Sequence, residues 1–359
     1  MKHKPPAAAW YPLAEDRIVC GIDMNFEVLI QILPLRSPGF SRLRRSRQYV
    51  AAPAGILPAK AGTPGRSYPG CVLKLHQYHL LDRRFMLTQT IIALLIYPGL
   101  LSALGLSLLY TVVTVGRPAL HWRAIGAAGR SVEGGMYALS IVLAGCGLAL
   151  LPWPLHPLAP EAGVWLWAWA LFEGAFLLPL LPGLLVGTPT VVRAAGREAQ
   201  IGVAGRALLW LVLAIGLLFP FEGRLLTLPA YLLIIAAATF AFPAAVGWGP
   251  FAAETTITPG GTAHGLDRHT AILAATASTI RTAALLAASL VALLPRTLVP
   301  PWAELFLLAV VFVLVSLLFR RLTGLLPRQA LPDALRICWW RVLPPALTAG
   351  VYLAIISYQ

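Results

Sequence analysis

Glu173, Glu198, Arg206 and Arg281 have side chains whose chemistry stands out from their surroundings, because each falls inside or beside a long apolar run. Glu173 lies in WALFEGAFLL, Arg206 in GVAGRALLW and Arg281 in STIRTAALL; Glu198 just precedes the run that holds Arg206. A charge held at bilayer depth costs at least ~2.5–3.5 kcal/mol on insertion scales, so a retained one is a candidate proton or charge relay. Arg281 has no acid within four residues, so its partner has to come from another helix, and Glu173 or Glu198 is the expected one. A buried pair of this kind either moves charge or fixes the register of two helices. A second group, His264, Asp267 and His269 in HGLDRHT, has metal-ligand residue types. On a helix the first two share a face and the third does not, and the further ligands of a closed site are missing, so these are expected to be solvated loop residues. Cys20, Cys71, Cys146 and Cys338 are scattered and imply neither a disulfide framework nor a zinc site. The chain contains no Walker loop, Gly-rich dinucleotide fingerprint or Ser/His/Asp set, so nucleotide binding and covalent catalysis by this chain are not expected.

The elements that would have to position these groups are membrane helices. Of 359 residues 58% are hydrophobic and 12% charged, with a mean hydropathy of +0.76. About a quarter of residues are charged in soluble domains, so an ordinary soluble fold is excluded. Apolar runs of roughly 20 residues mark bilayer crossings. Eight are predicted: Leu87–Val115, Met136–Leu151, Val164–Leu185, Ile201–Phe221, Leu228–Val246, Thr270–Leu294, Trp302–Phe319 and Val342–Tyr358. No alternating strand pattern competes, so the expected fold is an all-α integral membrane bundle, and a β-barrel is excluded. The sixth run is rich in small residues, which let helices approach closely.

Charge distribution gives an orientation. The connections after the first, third, fifth and seventh runs carry Arg117, Arg123, Arg130, Arg193, Arg197, Arg268, Arg320, Arg321, Arg328, Arg336 and Arg341; the opposite ones carry only Arg224 and Arg296. The arginine-rich side is therefore expected to be cytoplasmic and the amino end of the unit 86–359 to face outward. All four lysines (Lys2, Lys4, Lys60, Lys74) lie within residues 1–85, a segment with 13 Lys+Arg and 5 Asp+Glu. So basic a tail would cross the membrane against the bias. Residues 1–85 are expected to be a disordered or spurious extension, with Met86 opening the transmembrane domain, and no nucleic-acid motif appears in them.

Four stretches in order, MLTQTIIALLIYPGLLSALGLSLLY, GTPTVVRAAGREAQIGV, FPAAVGWGPFAAETTITPGG and PDALRICWWRVLPPALTAG, resemble the H-type membrane subunit family of respiratory complex I and its relatives in membrane-bound hydrogenases. The chain is identified as a divergent member. The resemblance implies a non-nucleotide-binding component of an NADH-quinone oxidoreductase or hydrogenase-type translocase, multi-pass in the cell inner (plasma) membrane. It implies hydrophilic iron–sulfur subunits and antiporter-like membrane subunits as partners. No cofactor would be bound by this chain alone, with quinone contact at a shared interface. Arg197 and Gln200 at the fourth span, and Pro250, Phe251 and Glu254 in the loop after the fifth span, would be the docking and quinone-side residues. The pattern departs where the family has an acid after Pro-Phe, which is Ala252 here, and where a further acid of the fourth span falls at Gly205 or Arg206. Two other functions fit the same bundle: an ion-inactive scaffold, and a stand-alone transporter, although no internal repeat is visible. The orientation is directly testable: Gly324→Cys and Gly223→Cys should label from opposite sides of the membrane, with Gly324→Cys protected from an impermeant reagent in intact cells.

Overall fold

The computed structural model describes residues 87–116, 126, 131–158, 164–185, 188–221, 223–252, 261–295, 300–323, 327 and 329–358. The expectation for residues 1–85 lies outside them. Among the described residues there is no strand, and eight helices are long and apolar enough to cross a membrane. The molecule is a multi-pass helical membrane protein.

The eight helices are α1 Leu100–Val115, α2 Val132–Ala149, α3 Trp165–Leu177, α4 Pro189–Leu218, α5 Leu228–Val246, α6 Arg268–Leu293, α7 Pro301–Thr323 and α8 Leu331–Ser357. The first span starts earlier, at Leu87, and is interrupted at 96–99 before α1, where Pro98 has no N–H to give to a helical ladder. The third span continues α3 through a 3-10 turn, Leu178–Leu180, and a last helical turn, Leu181–Leu185.

Two helix starts lie about three turns before the hydropathy reading. The fourth helix starts at Pro189 and the eighth at Leu331, against expected starts at Ile201 and Val342. Both begin with proline in the first turn, where its fixed φ suits a helix start and its missing N–H is not needed. At 1.5 Å per residue the 30 residues of α4 span about 45 Å, against about 30 Å of hydrocarbon. Its polar first turns, with Arg193 and Arg197, therefore project from the arginine-rich end of the bundle. Glu198 is consequently a helical residue and not part of a connection.

The most buried helix is α6, which packs on α1, α2, α4 and α7. Its small residues, Ala274, Ala277, Ala283, Ala284, Ala287 and Ala288, are all buried and permit that number of neighbours. On the other side α5 packs on α4 and α8. Thus α4 and α6 join an α1–α2–α3–α6–α7 group to an α4–α5–α8 group. The α4–α5 approach is close at Gly205: a Cβ there would lie 2.5 Å from the backbone N of Ala245. At the arginine-rich end, Tyr110, Phe242, Trp248 and Phe319 form an aromatic cluster that ties the ends of α1, α5 and α7, with Tyr110 stacked on Trp248 at 5.7 Å. Arg320 adds a hydrogen bond to the carbonyl of Val113, 3.1 Å.

The Gly205 contact yields a prediction. Gly205→Ala must push α5 away from α4, at a cost of about 1–3 kcal/mol as for other overpacked cores. It should lower the thermal midpoint of the purified chain, whereas Val203→Ala on the exposed face of the same helix should leave it nearly unchanged.

Candidate functional site

Glu173, Glu198, Arg206 and Arg281 gather where α3, α4 and α6 meet. Arg206 is 3% exposed and grips Glu173 in a two-toothed ion pair, Nε to Oε2 at 2.9 Å and Nη2 to Oε1 at 2.8 Å. Its remaining nitrogen, Nη1, donates to the carbonyl of Ala245 at 3.3 Å, next to the close α4–α5 approach. Helical side chains lean toward the amino end of their helix. The Arg206 side chain accordingly reaches back one turn over Gly202, where any Cβ would stand 2.7 Å from Nη1. Glycine at 202 therefore makes room for the guanidinium, and glycine at 205 brings in the carbonyl that it needs.

Arg281 points into the bundle but does not take the expected partner. Its Nε donates to Ala277 O on its own helix at 3.2 Å and its Nη1 to Ala175 O on α3 at 3.0 Å. Glu173 is occupied by Arg206, and Glu198 is within electrostatic reach of both arginines without an ion-pair contact. The expectation that Arg281 pairs with Glu173 or Glu198 is thus corrected: the tight pair is Glu173–Arg206, and Arg281 is held by backbone carbonyls. The reason is register. The α3 backbone presents the Ala175 carbonyl to Arg281, while Glu173 faces α4. The two guanidinium groups share one aromatic ring: Cζ of Arg206 is 4.7 Å and Cζ of Arg281 5.2 Å from the centre of Phe176. A desolvated cation over a ring gains up to about 2 kcal/mol, which offsets part of the burial cost.

Glu198 lies two turns from Arg206 on α4, about 12 Å along the axis toward the arginine-rich end. Its carboxylate accepts a hydrogen bond from the hydroxyl of Thr262, Oγ1 to Oε2 at 3.3 Å. Thr262 sits in the 3-10 turn Gly261–Ala263 and also lines an open pocket of about 200 Å³ with Glu133, Pro182, Val191, His264, Asp267 and Thr270 among its walls. Tyr137, buried one turn deeper than Glu133 on α2, is within electrostatic reach of Glu133, Glu198 and Arg281. The site therefore reads inward from the arginine-rich end as pocket, Thr262, Glu198, the arginine pair and Glu173.

His264 and Asp267 do face a common pocket, although by a route that the sequence did not suggest. They are not on a helix together; Asp267 caps α6, accepting from the backbone N–H groups of His269 and Thr270. Hydrogen bonds from Thr270, side chain first and then backbone, hold the Asp267 carboxyl below its ordinary value. With a depressed folded value, the cap contributes fully above the unfolded value and is lost as pH falls through the folded one. Among the described residues no group of three His, Cys, Asp or Glu side chains is placed to hold a metal ion.

The docking-side candidates divide. Arg197 donates from Nη2 to the carbonyl of Gln329, and the Gln329 N–H donates to the carbonyl of Pro250 at 3.1 Å. This stitches the projecting start of α4, the turn Gly249–Phe251 and the segment before α8 into one surface. Pro250 and Phe251 are buried beneath it, whereas Gln200 is exposed and takes no part. Glu254 lies outside the described residues. On this surface Pro250, Phe251 and Ala252 are apolar, while Nε of Arg197 and Oε1 of Gln329 are buried polar atoms.

Tyr137 and Thr262 were missed by the sequence reading, and so was Glu304, buried in the first turn of α7 at the other end of the bundle. None belongs to a motif; a buried acid at a helix amino end is favoured by the helix dipole and carries its own electrostatic rationale.

No family model matches this chain, and no curated protein matches it.

The Glu173–Arg206 geometry gives a quantitative expectation. Arg206→Met leaves a carboxylate without its partner in the bundle and should cost about 3–5 kcal/mol. The double variant Arg206→Met/Glu173→Leu should recover a large share of that loss. Thermal unfolding of the four proteins of this cycle in lipid nanodiscs measures the coupling directly; additive single effects would mean that the pair contributes no coupling energy.

Proposed function

We propose that this chain is the charge-carrying membrane anchor of a redox-driven ion-translocating complex, resembling the H-type membrane subunit of complex I and of membrane-bound hydrogenases. The reading rests on one observation above the others: two arginines and two glutamates are gathered inside the bundle, and one of them, Glu198, is hydrogen-bonded to Thr262 of a pocket at the arginine-rich end. A static scaffold needs no polar thread from its surface to mid-depth, and retaining one is costly. By the positive-inside rule the pocket end faces the cytoplasm, and the membrane is the cell inner (plasma) membrane.

The geometry supports a division of labour. The surface formed by Arg197, Gln329 and Pro250 receives hydrophilic iron–sulfur partners. The cluster behind it responds to charge. Glu198 sits between the docking surface and the arginines, with its carboxylate close enough to Arg281 and Arg206 that gaining or losing a proton changes the field on both. Moving one charge through 100 mV is worth about 2.3 kcal/mol, comparable to the differences that hold such a cluster in one arrangement. The Glu173–Arg206 pair fixes the inner end of this thread. No quinone step is assigned to this chain. A scaffold of the same fold remains the second reading, favoured by Ala252 in place of the acid after Pro-Phe.

The experiment is Glu198→Gln in the assembled complex. The substitution preserves size and removes the titratable group. Coupled ion translocation should fall at least about tenfold, while co-purification of the partner subunits stays at the level of the unaltered chain. Unchanged coupling would leave the scaffold reading in its place.

A further inference from the structure

We propose that the pocket between the amino ends of α2 and α6 is a proton-collecting vestibule, and that the Thr262 hydroxyl is the group through which protons pass between it and Glu198. This inference rests on the charge-carrying reading of the cluster and adds to it an ion, a doorway and a residue.

Thr262 is the residue that belongs to both compartments. It lines the pocket, and its Oγ1 donates to Oε2 of Glu198 at 3.3 Å. The pocket itself is built to hold water and to attract cations. Its walls carry Glu133 from the first turn of α2 and Asp267 from the cap of α6, with His264 exposed at the rim. Two helix amino ends converge here. Each would repel cations by its dipole if these acids did not offset it. Both backbone capping bonds go to Oδ2 of Asp267, so its Oδ1 is not committed to the helix backbone. On the far side of Thr262 the groups facing Glu198 are Arg281 from α6, Arg206 from its own helix and Tyr137 from α2. Among the described residues, the hydrogen-bond partner of this carboxylate toward the aqueous end is the Thr262 hydroxyl.

A hydroxyl both donates and accepts, which is what a proton doorway requires. In the inward step the Oγ1–H bond of Thr262 breaks as its proton forms a bond to Oε2 of Glu198. At the same time Oγ1 takes a proton from a hydronium ion in the pocket, which is left as water. Thr262 ends unchanged, Glu198 passes from carboxylate to carboxylic acid, and one positive charge has moved from the pocket to Glu198, within the field of the arginines. The reverse sequence empties it. A hydroxyl–carboxylate link passes protons, and among the described residues it gives a sodium ion no continuous set of oxygen ligands, so the geometry points to H+.

The test uses the full-length chain in lipid nanodiscs and infrared difference spectroscopy after a step in pH. The Glu198 carboxyl band is assigned by its loss in Glu198→Gln. Thr262→Val removes the hydroxyl at nearly constant volume and should slow the response of that band about 100-fold, the low end of what a positioned proton-transfer group contributes. Thr262→Ser keeps the hydroxyl and should respond like the unaltered protein. Glu133→Gln with Asp267→Asn leaves Thr262 untouched, retains a capping side chain, and should slow proton capture about tenfold by removing the attracting charge; this arm decides the matter if Thr262→Val does not fold. A Thr262→Val chain that responds at the original rate overturns the proposal, as does a Glu198 band that shifts on replacing potassium by sodium at constant pH. The two readings fail separately: if Thr262→Val slows the band while Glu198→Gln leaves coupling intact, the vestibule stands and the translocation role falls, and the converse result removes the vestibule alone.

Discussion

The ion pair between Glu173 and Arg206 is the constraint around which the rest of the bundle is arranged. A guanidinium cannot be neutralised in a protein, so Arg206 must be matched where it stands. The match takes three groups from two helices at once: the Glu173 carboxylate and the Phe176 ring of α3, and the Ala245 carbonyl of α5. Meeting those demands fixes how α3 and α5 lie against α4. It also explains two glycines one turn apart on α4, since side chains at 202 and 205 would block the guanidinium and the carbonyl respectively.

Arg281 solves the same problem differently. It accepts no carboxylate and spreads its charge over two backbone carbonyls and the second approach to Phe176. That arrangement leaves Glu198 free of a direct ion pair, while both cations keep it within their field. A carboxylate already locked in a two-toothed bridge is a poor proton carrier, because releasing it costs the bridge. Glu198, which among the described residues is held by the Thr262 hydroxyl, is the better one. The two acids of this cluster therefore differ in their partners as well as in their depth.

Much of the architecture was legible in the apolar runs. The fifth helix matches its expected limits, and the sixth and seventh differ only at their ends. The starts of α4 and α8 were not legible, because hydropathy sees only the part of a helix that lies in hydrocarbon, and both helices begin with polar turns outside it. All four charged residues of the cluster could be named from the sequence, since charge in an apolar run is conspicuous. Their pairing could not. Which of Arg206 and Arg281 meets Glu173 depends on the rotation of α3 and the register of α4 against it, and nothing local to either helix encodes that. Tyr137 and Thr262 left no signal at all: a tyrosine and a threonine in such surroundings are ordinary, and only the packing of α2 and of the turn before α6 against α4 gives them neighbours.

The uninterrupted length of α4 has a mechanical consequence. Arg197, Glu198 and Arg206 lie on the same helix, with no proline after Pro189 and no break before Leu218. An α-helix is stiff along its axis, so it behaves as a push-rod between its projecting end and its midpoint. A partner that shifts the surface stitched by Arg197 and Gln329 by a fraction of an ångström must carry the guanidinium of Arg206 with it, relative to the carboxylate on α3. Displacement at the water-facing end is thereby turned into strain in a charge pair about 13 Å deeper along the rod, without any wire of intervening side chains.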